Sequence, residues 1–469
     1  MKFLKLSLAA SIALGALSTS SFAQPLEEAI KGVDVSGYLR YRYTDDRYNK
    51  NQFGVSGRGS AAHQWRAVAD FKTPAINNVA LNLGIWYNKS NNVNHGKGTS
   101  DINFAGTGLG AGADGQFGVR SFYATITPDN TATTVKIGKQ PLDTPITYAP
   151  DGDRGTGILV LNNDVPNLTL VATAFDSWMV NEATIQARND VPVGNGIAQT
   201  NLTTDNSIDK NLYAVAGIYN LDTDYGNFGG QLWGFYIDSA VDALVFGELS
   251  WKNSLLRAKA QYTYAAINND KDSIFATYYG KVADRKQHAN IKEANDILAL
   301  EVGANLTQDY QLPLDVRLGY ITNFADGTAV ALENEGSNVS RAGKVWWDNA
   351  ATGISTSALQ SYGVRGIQTD QDINVFYAAG NYGFIDNRLN LGLEFAYGQN
   401  KLSTSSVKDT QKIKFTEITP TISWKHSKNL TLSSYYAYLQ TDTDLKKSNN
   451  QNVEDQKRGK FRVEAKYSF

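Results

Sequence analysis

Cysteine is absent from all 469 residues and methionine occurs only twice. Without cysteine there is no disulfide framework, so a chain of this size must hold itself together by an extensive core or by closure of its sheet. Charge of one sign is not in excess either. Lys plus Arg number 44 against 46 Asp plus Glu, a formal charge of −2 and a pI near 6.1. No global field therefore invites nucleic acid, and any basic patch must be local. The four histidines, His63, His95, His288 and His426, are scattered without ligand spacing. Long apolar runs are missing as well: mean hydropathy is −0.35, and no segment offers the roughly 20 apolar residues that a membrane-spanning helix needs.

What the chain has instead is glycine (41), tyrosine (25) and phenylalanine (19), a bias toward strands and turns. The N-terminus reads as an export signal: Lys2 and Lys5, an apolar stretch over 6–17, then small residues up to Ala23. Cleavage there predicts a signal peptide over 1–23 and one domain over 24–469, with a short helical lead-in over 26–31. The last ten residues, KFRVEAKYSF, put Phe461, Val463, Ala465, Tyr467 and Phe469 on one parity and Lys460, Arg462, Glu464, Lys466 and Ser468 on the other. A strand sends alternate side chains to opposite faces, so this segment has one oily and one wet side. A soluble sandwich strand does the same, but here the pattern recurs along the whole chain. An exported chain without apolar helices can cross a membrane only as a closed barrel, which satisfies every backbone hydrogen bond.

Taken in order, residues 33–43 alternate Val33, Val35, Leu39, Tyr41 and Tyr43 against Asp34, Ser36, Tyr38, Arg40 and Arg42, and 63–71 alternate His63, Trp65 and Phe71 against Gln64, Arg66 and Asp70. Segments 79–88, 119–127, 133–137, 256–264, 312–320 and 389–397 continue the pattern. The glycines of 91–118 suggest a phosphate cradle, but no strand-then-helix context and no closing Lys-Ser/Thr pair accompany them, so they predict a loop. Connections alternate between short (220–226, 253, 386–387, 425–428) and long (177–209, 268–295, 323–371, 441–459), as the two rims of a transmembrane barrel require. The prediction is an all-β single antiparallel transmembrane barrel of about eighteen strands, by the ten-residue repeat of such barrels, with residues 33–43 closing on 460–469.

Between two strands lies the segment IGKQPLDTPITYAPDGDRGTG, whose prolines and glycines break regular structure. On the outer surface it would be one more polar loop. Folded inward, loop 139–157 narrows the lumen and sets Asp143, Asp151, Asp153 and Arg154 at a constriction, with Glu182 a further candidate; charged constrictions are how such channels choose ions. Arg40, Arg42, Arg66, Arg257, Lys259 and Arg317 share the predicted inner parity and should form a basic wall opposite the loop acids. Standing nearest the axis, those acids predict a modest preference for cations.

The mature start QPLEEAIKGVDVSGYLRYRY, the IGKQ segment, the GTG with the NN that follows, AFDSWM over 174–179 and the terminal YSF resemble the major outer-membrane porins of Campylobacter and its relatives. The resemblance covers the chain in layout, while the long loops look individual. It implies an 18-stranded general-diffusion porin in the outer membrane of a Gram-negative bacterium, a homotrimer, with an inward-folded third loop and a C-terminal strand read by the barrel assembly machinery. It also implies a calcium ion near the constriction. Asp151 matches one acidic position there, but Gln186 stands where another acid is expected, so the ligand set is incomplete.

These features favour passive diffusion of small hydrophilic solutes and ions, with lipid as the surroundings and no nucleic-acid partner. An enzyme would need a convergent nucleophile and base, which four scattered histidines and no nucleophile elbow do not supply. A surface adhesin or antigen acting through the long loops is the alternative, since loops carry such roles.

Overall fold

The structure, a computed structural model, describes residues 32–49, 59–93, 117–150, 152–180, 208, 210–270, 273, 291–332, 338–354, 359, 366–404, 407–445 and 455–469. The predicted signal peptide and lead-in, together with Asp151, Glu182 and Gln186, lie outside them. Eighteen strands form one antiparallel sheet: β1 (Asp34–Tyr48), β2 (Gly59–Lys72), β3 (Val79–Val93), β4 (Phe117–Ile126), β5 (Thr133–Pro141), β6 (Arg154–Asn162), β7 (Leu168–Met179), β8 (Leu212–Thr223), β9 (Gly226–Ile237), β10 (Val241–Lys252), β11 (Leu256–Ile267), β12 (Ala294–Asn305), β13 (Leu314–Thr322), β14 (Asp370–Phe384), β15 (Leu389–Thr404), β16 (Val407–Lys425), β17 (Leu430–Thr443) and β18 (Gln456–Ser468). Each strand pairs with its neighbours in sequence, and β1 pairs with β18 in the register Tyr38↔Ser468 to Tyr48↔Arg458. Reciprocal bonds between Gly37 and Phe469, N–H to O at 3.0 and 3.1 Å, end the seam. Closure gives every strand two paired neighbours.

Side-chain parity decides the two faces. Leu39, Val215, Leu232, Leu249, Val302, Leu318, Leu393 and Phe376 all point out and keep more than half of their surface exposed; in a soluble protein such a band would be an aggregation surface, and in lipid it is the expected coat. The partners of opposite parity (Arg40, Arg66, Gln261, Glu301, Glu394, Glu417) face the lumen.

One rim is made of tight turns. Asn77 and Asn78, with φ of 49° and 66°, form the two-residue turn between β2 and β3, a left-handed conformation that asparagine tolerates. A single helical turn, α1 (Thr307–Tyr310), joins β12 to β13. The other rim carries the longer connections, and several are shorter than the sequence suggests: β7 runs to Met179, β12 starts at Ala294, β17 runs to Thr443 and β18 starts at Gln456. Leu312, expected on a strand, belongs instead to the α1 connection.

Candidate functional site

The third long-rim loop, residues 142–153, turns into the barrel. Strand pairing holds 139–141 against 154–156, so the loop is tighter than 139–157. Gly138 and Gly157 face each other across this stem with φ of +126° and +153°; a Cβ on Gly157 would stand 2.1 Å from the Ala174 carbonyl oxygen, so only glycine permits this approach. Beyond the stem, Leu142, Ile146 and Ala149 are buried, and Leu142 and Ile146 pack in one cluster with Phe175, Trp178, Leu212 and Ile237, which project inward from β7, β8 and β9. Thr147 Oγ1 donates to the Leu142 carbonyl at 2.7 Å and accepts from Thr144 N–H at 3.0 Å, closing the loop on itself.

The expected constriction charges divide. Asp143 is exposed. Asp153 is fully buried, its Oδ2 accepting from Tyr148 N–H at 2.6 Å. Arg154 Nε donates to the Arg120 carbonyl at 3.1 Å, and its Nη1 donates to the Ala149 and Asp153 carbonyls at 2.9 and 2.6 Å. Asp153 and Arg154 therefore fix the loop's shape instead of facing solute, a correction to their expected place. The reason is local: a loop turned into a lumen needs partners for its own backbone groups, and these two side chains supply them.

Among the described residues no three His, Asp or Glu side chains converge on one point. Asp153, the described acid nearest in sequence to Asp151, is engaged by Tyr148. The described part of the loop thus offers no calcium ligand set.

The seventh long-rim loop, residues 323–369, is not the external loop that its length suggests. Its described part crosses the lumen and packs against the wall: Val330, Ala342, Val345, Trp346, Trp347, Ala350 and Ala351 are buried with Ile373, Val375, Leu402, Ile413, Phe415 and Leu439. Trp346 stacks on Phe415 with ring centroids 5.4 Å apart. Two wall carboxylates hold the backbone. Glu417, fully buried on β16, accepts from Lys344 N–H on Oε1, and from Val345 and Trp346 N–H on Oε2 at 3.0 and 2.8 Å, while Thr419 Oγ1 donates to Oε1 at 2.6 Å. Glu394 on β15 accepts from Gly343 N–H and from Lys344 Nζ, both at 2.7 Å. Further along, Arg458 on β18 pairs with both Asp46 on β1 and Asp348 of the loop. The two inward loops meet: Leu332 N–H donates to the Ile146 carbonyl at 3.1 Å and Asn338 N–H to Pro145 at 2.9 Å.

Together the loops cover the inner wall from β7 round to β17 at the long-rim end. The loops touch the wall from β18 through β1 and β2 to β4 mainly at its margins, through Asp348 on Arg458 and Arg154 on the Arg120 carbonyl, and this wall is basic. Arg40 stands directly across from Arg66 on one side and Lys466 on the other; Arg42 pairs with Glu464 at 2.8 Å, and Arg120 lies 4.0 Å from Asp70. The six expected wall cations do not form one group. Arg40, Arg42 and Arg66 are neighbours here, whereas Arg257, Lys259 and Arg317 lie on β11 and β13, two of them in ion pairs with Asp315 (2.6 Å) and Glu301 (3.2 Å). Those pairs are about one-third exposed on the arginine side, 32% and 30%, as expected of the lining of an aqueous lumen. Arg120, Lys460, Arg462 and Lys466 were missed as wall residues although the terminal parity already marked the last three.

A family model described as Campylobacter major outer membrane protein matches residues 1–467. Comparison with the curated proteins finds no match. Among solved structures the chain is similar to OccAB1 of Acinetobacter baumannii (TM-score 0.59, 14% identity, covering 93% of this chain and 97% of that one). It is also similar to OpdL (0.59, 10%, 94% and 99%) and OccK9 (0.58, 13%, 94% and 100%), both of Pseudomonas aeruginosa. At such identities the likeness speaks for the fold.

Proposed function

Since the chain belongs to the Campylobacter major outer membrane protein family, an outer-membrane barrel and a channel rather than an enzyme, we propose that it passes small hydrophilic solutes and ions by passive diffusion. The observation that supports this reading most is the charged inner face of the barrel: two inward loops narrow the lumen, while charged and polar side chains line its wall on β18, β1, β2 and β4 and again on β11 and β13, where Arg257 and Arg317 are about one-third exposed. Purified protein in a planar bilayer should give discrete conductance steps in KCl, and a consistent absence of steps from folded protein would reject the channel.

Ion preference is proposed as modestly cationic. Asp143, exposed on the inward loop, would set it together with Asp151 and Glu182, and the arginine wall opposes it, which keeps it modest. In a salt gradient the reversal potential should therefore report a small cation preference. Asp143→Asn with Asp151→Asn should move it toward the anion side, whereas Arg40→Gln should move it the other way. At 1 M salt, where the Debye length is about 3 Å, the preference should largely vanish. A double Asp variant that keeps both the wild-type reversal potential and conductance would remove loop 3 from selectivity. The proposed assembly is a homotrimer, countable by crosslinking of detergent-extracted protein.

A further inference from the structure

The short rim, which in barrels of this kind faces the periplasm, is charged unevenly. Its segments 127–132, 163–167 and 223–225 carry Asp129, Asp164 and Asp224 and no lysine or arginine, whereas the adjacent segments 385–388 and 425–429 bring Arg388, Lys425 and Lys428 together against one acid, Asp386. Arg388 ties these two segments to each other. Its Nε and Nη2 donate to the Lys425 and His426 carbonyls at 3.3 and 2.9 Å, and its own carbonyl accepts from Lys425 N–H at 2.8 Å. Those acceptors are neutral, so the guanidinium keeps its charge. Lys425 and Lys428 are exposed, and neither makes an ion pair with a described residue. The wall beside these cations is aromatic and apolar. The Arg388 guanidinium carbon stands 4.9 Å from the centre of Trp424, whose register partners Leu389 and Leu432 place it on the lipid side. Tyr382 and Phe384, with ring centroids 4.7 Å apart, share that side, and Phe384 and Ile385 remain 42% and 59% exposed. Ile385, Asp386 and Asn387 have φ of 52°, 53° and 61°, the left-handed region that a β-branched residue disfavours. A disfavoured backbone thus holds an isoleucine out at the rim, next to three cations.

We propose that this part of the rim binds an anionic phospholipid of the periplasmic leaflet, with its phosphate at Arg388, Lys425 and Lys428 and its glycerol and upper acyl carbons against Trp424, Phe384 and Ile385. Cations set directly beyond an interfacial aromatic belt are the arrangement that receives anionic lipid. A guanidinium meets phosphate oxygens through paired N–H···O bonds. Arg388 is already held by two carbonyls and an indole ring, so it has little freedom left to lose on binding. A purely acidic partner would leave Phe384 and Ile385 in water, and a zwitterionic lipid would bring a second ammonium group among the cations. The acidic segments elsewhere on the rim repel the same headgroup, which confines the lipid to one side of the barrel. The proposal goes beyond the channel reading and does not depend on it, since it needs only the barrel's place in the outer membrane.

The test is lipid retention by the folded protein in detergent, read by native mass spectrometry after addition of dioleoyl phosphatidylglycerol or dioleoyl phosphatidylcholine at matched concentrations. The wild type should keep one phosphatidylglycerol in preference to phosphatidylcholine. Each cation near an anionic lipid surface is worth about fivefold in affinity. Arg388→Gln with Lys425→Gln and Lys428→Gln should therefore weaken retention by about a hundredfold and leave the two lipids bound alike. Lys252→Gln, which removes a cation of the same rim at the end of β10, should change nothing. Heat-modifiable migration in electrophoresis shows that each variant is folded. If the triple variant is not, Lys425→Gln with Lys428→Gln decides, because neither side chain makes a contact that the fold uses, and undiminished preference there overturns the proposal. It is also overturned if the wild type keeps both lipids equally, or if the folded triple variant retains phosphatidylglycerol as the wild type does. Wild-type binding to purified peptidoglycan that requires the same three cations, without any lipid preference, would overturn it too and make the patch a docking surface for the cell-wall polymer.

Discussion

Glu417→Ala is expected to loosen loop 7 on the wall, raising single-channel conductance and adding open-channel noise while the barrel itself persists. Three backbone N–H groups and one hydroxyl converge on this carboxylate. Hydrogen bonds to a charged group contribute about 1.5–3 kcal/mol each, so losing the acceptor removes on the order of 5 kcal/mol of anchoring even after allowance for non-additivity. It also strands the donors inside a dry cluster, which itself costs about 1–3 kcal/mol for each group. The opposing term is apolar. Trp346 remains stacked on Trp347 and Phe415, and packing of this kind is worth about 0.5–1.5 kcal/mol per aromatic pair beyond its area. The lost anchoring exceeds that excess, but the buried area of Trp346, Trp347, Val345 and Val330 contributes a further ~1.5–3 kcal/mol per side chain, so the loop is loosened and not released. Glu417→Gln should do less, because one amide oxygen still accepts while its NH₂ faces donors. Lys344→Ala, which removes only the partly exposed pair with Glu394 at 2.7 Å, should change little, since exposed ion pairs contribute about 0–1 kcal/mol. Single-channel recording of the three variants orders them, and wild-type conductance and noise in Glu417→Ala would mean that the loop is held by its apolar packing alone.

That loop was not legible in the sequence, for a physical reason. Alternation reads cleanly only where one face meets lipid and the other meets water. At the long-rim ends of β9 and β10 both parities are apolar: Trp233, Phe235, Leu244 and Phe246 are buried inward, while Leu232, Tyr236 and Val245 point out. Such stretches still read as strands, but their second apolar face announces that something apolar fills the lumen beside them. The matching signal was the KVWW of a segment counted as loop, Trp346 and Trp347, two large apolar side chains with no strand partner of their own. The closure of β1 on β18, the strand number and the outward parity were legible because they depend on local period alone. The separate fates of Asp143, Asp153 and Arg154 were not, since neighbours in sequence took up different tasks once the loop had to satisfy its own carbonyls and amides. Likewise the grouping of Arg40 with Arg66 and Lys466 follows from register between distant strands, and the alternation of a single strand cannot supply it.

Val463→Arg is expected to abolish most outer-membrane yield. Val463 lies midway along β18, across from Tyr43 of β1 and Ser434 of β17, with its side chain on the lipid face. An arginine near the bilayer midplane on that face costs about 2–4 kcal/mol, and this strand carries two burdens at once: it closes the barrel against β1, and its C-terminal Phe469 is the expected signal for the assembly machinery. The neighbouring position is the internal control. Arg462 has the opposite parity, stands over the Tyr435 ring at 5.3 Å on the lumen side, and bears the same charge without that cost. One residue of register thus separates a tolerated arginine from a disabling one, because the side-chain period of a strand is two. Val463→Leu should insert normally, and Arg462→Val should insert with altered conductance only. Phe469→Ala should be milder than Val463→Arg in purified, refolded protein, where the reciprocal backbone bonds with Gly37 still close the seam, yet it should impair assembly in cells if the aromatic is the signal that is read. Outer-membrane yield and heat-modifiable migration in electrophoresis distinguish these outcomes. Wild-type yield of Val463→Arg would place that face in water and undo the assignment of lipid to the odd parity of β18.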